Sequence, residues 1–459
     1  MKKILIFSLA FMLVLSLFIW TGCKATTTVN TAVTETTATT VAETTSGAAA
    51  VTETTAVEQK EQVVLKVITF TDAVEALQAD IKDFNEKYPW ITVTVDSAAP
   101  DQYAALVTAN QQMGAEGADI VFDHFSAAKA QISSLFYLDL TPYKQITSHY
   151  DINVLKANAG YKDGIYSTVT EPLCLFLIYN PKMLEDNGVN VPTNKAEFYQ
   201  ACDKFLAKGI IPMQFGFKDV WPWVCLQEGI DACMFQPEHP NFWRDVLEKG
   251  GTPFTDQVGY RNIQDEILKI WDSGYIDKNS LDMDYDGVMD NFIAGKFPFR
   301  ISETLEMGSI INKDPNFKFD FTLAPFYEDS NKPYAVRYFD QGVAINAKTK
   351  HLNEALLFLE HNITTPIYIK TLHSLPATID LKLSPEELMG INPNGEKILK
   401  LQDKATPIVP FHLYWKTDEL NYASWEDLSG IVSGTMTKEQ VLESLQTIFE
   451  KMYPELFKK

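Results

Sequence analysis

Positive charge is scarce in this 459-residue chain: 39 Lys and Arg stand against 60 Asp and Glu, a formal net charge of −21. Nucleic acid and anionic lipid are recognised through basic patches, so the balance excludes both as electrostatic partners. An acidic surface of this kind keeps an exported head soluble. Cysteine is also sparse, with five in all: Cys23, Cys174, Cys202, Cys225 and Cys233. No CxxC, Cys/His or HExxH spacing is present, which removes the usual zinc frameworks. GxSxG, P-loop, dinucleotide and Cys/His nucleophile signatures are missing too, and no cofactor is implied. A third shortage is local. From Ala25 to Gln62 there is no Leu, Ile or aromatic residue, so that stretch cannot bury enough apolar area to offset its chain entropy.

Ahead of that stretch the pattern reverses. Lys2 and Lys3 precede a nearly unbroken apolar run from Ile4 to Trp20, followed by Thr21-Gly22-Cys23. A basic start, a short apolar core and small residues before a cut describe an export signal over residues 1–22. The Thr-Gly-Cys ending resembles a bacterial lipobox, in which the cysteine is diacylated and becomes the mature N-terminus. Trp20 departs from the leucine-like residue preferred at its position. A plain signal peptide and a retained membrane helix are the competing readings, since the run is near the lower limit for a bilayer of ~30 Å. Each puts the rest of the chain outside the cytoplasm. Residues 23–62 then form a Thr-rich tether with an imperfect repeat at Val33–Ala38, Val41–Ser46 and Val51–Ala56. A flexible chain of this length reaches roughly 35 Å on average and roughly 120 Å when stretched.

About 400 residues remain, which suits two lobes better than one core. They read as α/β. Val64–Phe70 has strand composition, and Val74, Leu77, Ile81, Phe84 and Tyr88 form one helical stripe ended by Pro89. Ile91–Val95 and Ile120–Phe122 are further strands, implying right-handed crossovers and a helix-covered sheet. Thr193 is expected to cap a helix through Phe198, Cys202 and Phe205, and Thr437 with Gln440 forms a capping box for the last helix. Cys225 and Cys233 are spaced to close a short disulfide loop in an oxidising compartment. In open α/β sheets ligands sit beyond the carboxyl ends of strands, where Thr71-Asp72 and Asp123-His124-Phe125 fall.

Several segments carry a family resemblance: Phe84-Asn-Glu-Lys-Tyr-Pro89, Ala118-Asp-Ile-Val-Phe-Asp123, Ile178-Tyr-Asn-Pro-Lys182, Gly209-Ile-Ile-Pro212, Phe217-Lys-Asp-Val-Trp221, Phe292-Ile-Ala-Gly-Lys296 and Gln341-Gly-Val-Ala-Ile-Asn346. In this order the chain from Val63 onward resembles the extracellular solute-binding proteins of carbohydrate ABC transporters, with the two-lobed type II periplasmic-binding fold. It departs at Phe297-Pro-Phe299 and Glu303-Thr-Leu305, where the family often has Ala-Met and a later Gly-x-Trp. The resemblance implies crossings near Glu171-Pro172, Ala335 to Tyr338 and Asn392. Lobe one would then hold 63–172 and 336–392, and lobe two 173–335 and 393–459. It also implies a sugar or oligosaccharide ligand, a separately encoded membrane permease, a lipid anchor to the outer face of the cell membrane, no enzymatic activity and a monomer.

A pyranose offers apolar C–H faces and a belt of hydroxyls, so its site needs aromatic rings beside carboxylates, amides or Arg. Asp219-Val-Trp221-Pro-Trp223 is the best such cluster, and by the resemblance Trp221 stacks on sugar. Trp415 and Trp425 flank Tyr414, Asp418 and Tyr422 in a stretch that lines the cleft in relatives. Asp123 and Glu171 match positions that bind hydroxyls, and Thr71 and Asp72 close a loop that commonly touches ligand. Arg300, Glu303, Arg337 and Asp340 complete the candidate set. Trp243 and Trp271 read as helix residues of the core. Two alternatives stand beside this reading. Asp282-Met-Asp284-Tyr-Asp286-Gly287 copies half an EF-hand loop, but Ile293 stands where the bidentate Glu belongs, so helix-start acids are the better account. Glu303 and Glu306 could imitate a glycosidase pair, which would make the protein a surface carbohydrate-active enzyme; a non-transport sensor or adhesion module is the other option.

Overall fold

A computed structural model of the chain describes residues 60–124, 135–170, 172–219, 221–339, 341–378, 383–415 and 419–458. The expected signal, Cys23 and the tether to Gln59 lie outside the described residues, as do Glu171 and Asp340. The strands in chain order are β1 (Val63–Phe70), β2 (Ile91–Ala98), β3 (Ile120–His124), β4 (Gly160–Tyr161), β5 (Gly164–Ile165), β6 (Pro172–Tyr179), β7 (Phe299–Glu303), β8 (Asp320–Leu323), β9 (Tyr334–Phe339), β10 (Gln341–Ile345) and β11 (Thr406–Ile408).

Two sheets organise the chain. The first has the order β10-β3-β1-β2, with β1, β2 and β3 parallel and β10 antiparallel to β3. The second half of β1, with β3 and β10, is buried on both faces, as a sheet covered by helices on each side requires, while the edge strand β2 alternates with exposed Thr92, Thr94 and Asp96. Leu65 and Val67 enter one core with Phe122, Val343, Ile345 and the helix stripe Leu77, Ile81 and Phe84. The alternate residues Ile68 and Phe70 join Tyr103, Val107, Val121 and Ala344 on the opposite face. The second sheet runs β11-β9-β6-β7, with β8 also paired to β6. Every residue of β6 after Pro172 is buried, and this strand anchors the larger core. Around it pack Phe198, Cys202 and Phe205 of the helix Lys195–Leu206, Trp243, Trp271 and the last helix, Lys438–Met452.

Local chemistry sets the helix ends. Thr437 and Gln440 make the expected reciprocal capping box. At Lys195–Leu206 the cap differs: Asn194 accepts from the Glu197 amide at 2.9 Å, while Thr193 donates to the Glu197 carboxylate. Asn and Thr both cap well, and the neighbour whose oxygen reaches the third amide wins. Cys225 and Cys233 are free, buried and on one continuous helical run, Val224–Ile230 into the π-turn Asp231–Phe235. Eight helical steps separate them by about 12 Å, beyond disulfide reach. The EF-hand-like acids are engaged locally: Asp284 caps its helix through the Gly287 amide at 2.8 Å, and Asp286 pairs with Lys313 at 3.3 Å. Among the described residues no helix is long and apolar enough to cross a membrane.

The sheets join where two chain segments run side by side. Thr168 and Thr170 donate their amides to Val343 and Gln341 at 2.9 and 3.1 Å, beside the first sheet. Further along, Pro172 and Cys174 lie opposite Phe339 and Arg337 in the second. Ala335 to Tyr338, where the return crossing is expected, lie in β9. Ala335, Val336 and Tyr338 are buried in the second core, and first-sheet pairing resumes at Gln341.

Candidate functional site

β1 and β3 are parallel neighbours, so the residues after them emerge at one edge of the first sheet, where β10 also begins. Thr71 is exposed there. Asp123, the fourth residue of β3, is only 4% exposed and accepts a hydrogen bond from the Tyr137 hydroxyl. Burial, then the charge of Asp123, pushes the Tyr137 hydroxyl well above its ordinary value, so it remains a donor. Tyr103 backs the pair by donating to the carbonyls of Ile68, at 3.2 Å, and Phe122. The carboxylate is therefore held in place from behind.

Across the crossing segments, the second sheet brings its own acids to the same seam. Leu175, three residues into β6, lies opposite Glu303 at the end of β7. Tyr338 on β9 donates to Glu303, and its hydroxyl stands 3.2 Å from Glu228, a buried residue of the helix Val224–Ile230. The Cys225 sulfur and the carboxylates of Glu228 and Glu303 lie within 4.8 Å of one another, the set that could hold a metal ion among the described residues. Burial, then the charges of Glu303 and Glu228, pushes the Cys225 thiol well above its ordinary value; as it stands the cluster is a hydrogen-bonding one.

Beside it, Trp221 is half-buried, with its ring centroid 4.9 Å from that of Tyr285. Asp219 is exposed and accepts from the Tyr285 amide. Behind Tyr285 lies a buried ionic pair in which Arg300 donates to Glu306, with Ser302 donating to the same carboxylate. Helix Glu419–Ser433, carrying the half-buried Tyr422, packs on the Trp221–Trp223 turn.

The profile of the bacterial extracellular solute-binding protein family matches residues 69–364, more than half of the chain. The chain belongs to this family. Solved structures agree on the two-lobed fold of this solute-binding protein. A chitin oligosaccharide binding protein aligns with a TM-score of 0.73 at 16% identity, covering 86% of this chain and 99% of its own. A raffinose complex of the solute-binding protein RafE gives 0.68 at 19%, with 85% and 100% covered. A sugar transporter component from Bacillus licheniformis, in complex with stachyose, gives 0.68 at 17%, again with 85% and 100% covered. No curated protein sequence matches the chain.

Two expected ligand contacts of the solute-binding protein are buried in this structure. Trp415 is 0% exposed and sits among Trp243, Phe254, Phe411 and Phe449, because the turn Phe411–Tyr414 before it is pinned to the core when Asp231 accepts the Phe411 amide at 3.0 Å. Arg300 is 5% exposed and spent on Glu306. Arg337 is exposed next to the crossing. The side chains of Asp72, Trp223 and Trp425 lie outside the described residues, with Glu171 and Asp340. Glu228, Tyr285 and Tyr338 were absent from the candidate set. Glu228 carried a signal, being the one charged residue in the run Val224-Cys-Leu-Gln-Glu-Gly-Ile230. A cavity of about 710 Å³ lies away from the seam: Gln214, Asp277, Asn291 and Lys296 line it at the far end of β6 and β7.

Proposed function

We propose that this solute-binding protein captures a sugar or oligosaccharide at the seam between its sheets and delivers it to the permease of an ABC importer. It acts as a monomer without catalysis, exported and held to the outer face of the membrane by diacylated Cys23. The observation that carries the reading is the pairing of chemistries at one seam. Acids fixed by tyrosines, the buried Asp123 with Tyr137 and the half-buried Glu303 with Tyr338, stand at the crossing segments, and the half-buried Trp221 lies beside Tyr285. Carboxylates take hydroxyl hydrogen bonds and rings cover C–H faces. Two neighbours in fold are complexes with raffinose and stachyose, which supports this ligand class. Thr71, Asp72, Glu171, Asp219, Trp223, Arg337, Asp340, Tyr422 and Trp425 are proposed to complete the contacts. Lobe one then takes the first sheet and lobe two the second, closing by rotation at the crossings.

A thermal-shift screen against mono- and oligosaccharides tests the reading. A ligand at 100 times its dissociation constant adds about 2.7 kcal/mol to native stability, a shift such a screen resolves. Release of reducing ends from any glycan in the panel would replace transport with catalysis. With a hit in hand, Trp221→Ala should weaken binding by about 1–3 kcal/mol in calorimetry, with little change in the melting of the free protein. Early melting with unchanged affinity would move Trp221 into the core.

Anchoring has its own test. Cys23→Ser should shift the protein from the membrane fraction to the medium, because two acyl chains anchor stably and none does not. A wild-type protein that takes up no labelled fatty acid would contradict it.

A further inference from the structure

The cavity at the far end of the second sheet is built by the chain around it. Helix Lys195–Leu206 gives way to Gly209, with φ 74°, and helix Tyr285–Ile293 to Gly295, with φ 71°. Both flanking chains therefore reverse without a side chain at the bend. A Cβ on Gly209 would meet nothing within 4 Å, so that bend borders open space. Between the bends the backbone is held firmly. The Met213 amide donates to the Tyr275 carbonyl at 2.9 Å, its carbonyl accepts from Asp277 at 2.8 Å, and the Phe299 amide donates to Pro212 at 3.1 Å. Phe299 lies opposite Tyr179 and Glu303 opposite Leu175, so the two ends of β7 stand four strand steps apart, ~13 Å. The cavity is at the Phe299 end, and the seam is at the other.

Its polar lining is ordered. The Lys296 ammonium donates to Oδ1 of Asn291 at 2.6 Å, and the Asn291 amide donates to Oε1 of the buried Gln214 at 2.7 Å. Gln214 in turn donates to Asp277 at 3.0 Å, and Asp277 also accepts the Asn279 backbone amide at 3.0 Å. Each side-chain amide is oriented by its neighbours, since turning one over would set oxygen against oxygen. This relay leaves capacity unused. Each amide keeps a second N–H, and the ammonium keeps two more hydrogens. Among the described residues nothing takes them up, and the Asn279 side chain and Asp282 carboxylate on the same lining have no hydrogen-bond partner.

We propose that this cavity is a second binding site, for a polyhydroxylated molecule of one or two sugar rings. Hydroxyls both donate and accept, which suits fixed N–H groups lying near a free amide and a free carboxylate. The charges are of both signs, and neutral amides separate Lys296 from Asp277, so no surplus selects an ion. A volume of about 710 Å³ falls within the roughly 300–1,000 Å³ of small-ligand sites. Half-buried Met183 and Met283 supply the apolar part of the lining. Its one aromatic residue, Phe297, is only 3% exposed and offers no face for stacking. Affinity therefore rests on hydroxyl hydrogen bonds and belongs in the millimolar range. The site does not depend on what the seam binds.

Met183 and Met283 are the reporters. The full chain, labelled with ¹³C at its 12 methionine methyls, is titrated with glucose, maltose and glycine and read by NMR. Met183→Leu and Met283→Leu assign the two signals. Glucose or maltose should move both methyls along one saturable curve with a midpoint on the order of millimolar. Asn291→Leu, which breaks the relay, and Asp282→Ala, which removes an exposed carboxylate, should each weaken that binding about tenfold. In Trp221→Ala the curve should persist, whatever happens at the seam. The proposal is overturned if neither sugar gives a saturable shift by about 100 mM, or if Asp282→Ala and Asn291→Leu both bind as wild type does. A response that vanishes in Trp221→Ala comes from the seam and overturns it too. Shifts with glycine alone would replace the hydroxylated ligand with a zwitterion. Should Asn291→Leu fail to fold, Asp282→Ala still decides.

Discussion

Trp415→Ala is expected to destabilise the solute-binding protein by about 3 kcal/mol or slightly more, the low end of the 3–5 kcal/mol typical of an emptied aromatic site. The ring is fully buried against Trp243, Phe254, Phe411 and Phe449, with centroids 5.6 to 6.1 Å away. Its removal opens a cavity that four rings on two helices, a loop and a turn cannot refill without moving. One term works the other way. The indole Nε1 is buried without a hydrogen-bond partner, so losing it recovers about 1 kcal/mol of desolvation. Trp415→Phe therefore should cost under about 2 kcal/mol, since it keeps most of the contact and drops the orphan donor. Denaturant melts of the two variants test the pair of values. A Trp415→Ala protein that melts normally but loses sugar binding would return this residue to the site and overturn its placement in the core.

The sequence carried the fold where periodicity alone decides it. Leu77, Ile81 and Phe84 are buried at helical spacing, and Leu65, Val67, Ile68 and Phe70 divide between two faces by strand alternation. Ends were harder, because Thr193 and Asn194 are both good caps and geometry chose between them. The strand at the expected crossing was hard for a related reason: Ala335, Val336 and Tyr338 are as apolar as any first-sheet strand, and only pairing with β6 and β11 assigns them to a sheet. The site was legible as residue types rather than as exposure. Trp221 and Trp415 are both tryptophans among acids in sequence, yet one is half-buried near the seam and the other is core. Cys225 and Cys233 seemed a disulfide only while Val224–Phe235 was read without its helical rise. The ion pair of Arg300 was not legible, because its partner stands six residues on and a strand-to-helix corner rather than a regular element brings Glu306 back to it.

That corner supports the second large effect. Glu306→Ala should destabilise the protein by about 3–5 kcal/mol, because it leaves Arg300 buried beside nothing of opposite charge. Burial pulls the Arg300 guanidinium down, but the charge and hydrogen bond of Glu306 outweigh it and the group is raised, so it stays ionised. Nη1 is already without a partner, which makes a second loss harder to absorb. Ser302, now donating to Glu306, loses its acceptor as well. Arg300→Met with Glu306→Leu should behave differently. Removing both charges avoids both desolvation costs, and apolar replacements of a buried pair are often neutral or stabilising. The double variant should therefore melt within about 1 kcal/mol of wild type, while Glu306→Ala alone melts far earlier. The same variant separates two roles for Arg300. If the arginine only supports the wall behind Tyr285 and Trp221, the double variant binds sugar with unchanged affinity. If it folds as stably as wild type and no longer binds, Arg300 reaches the ligand, and the buried pair seen here must open when sugar arrives.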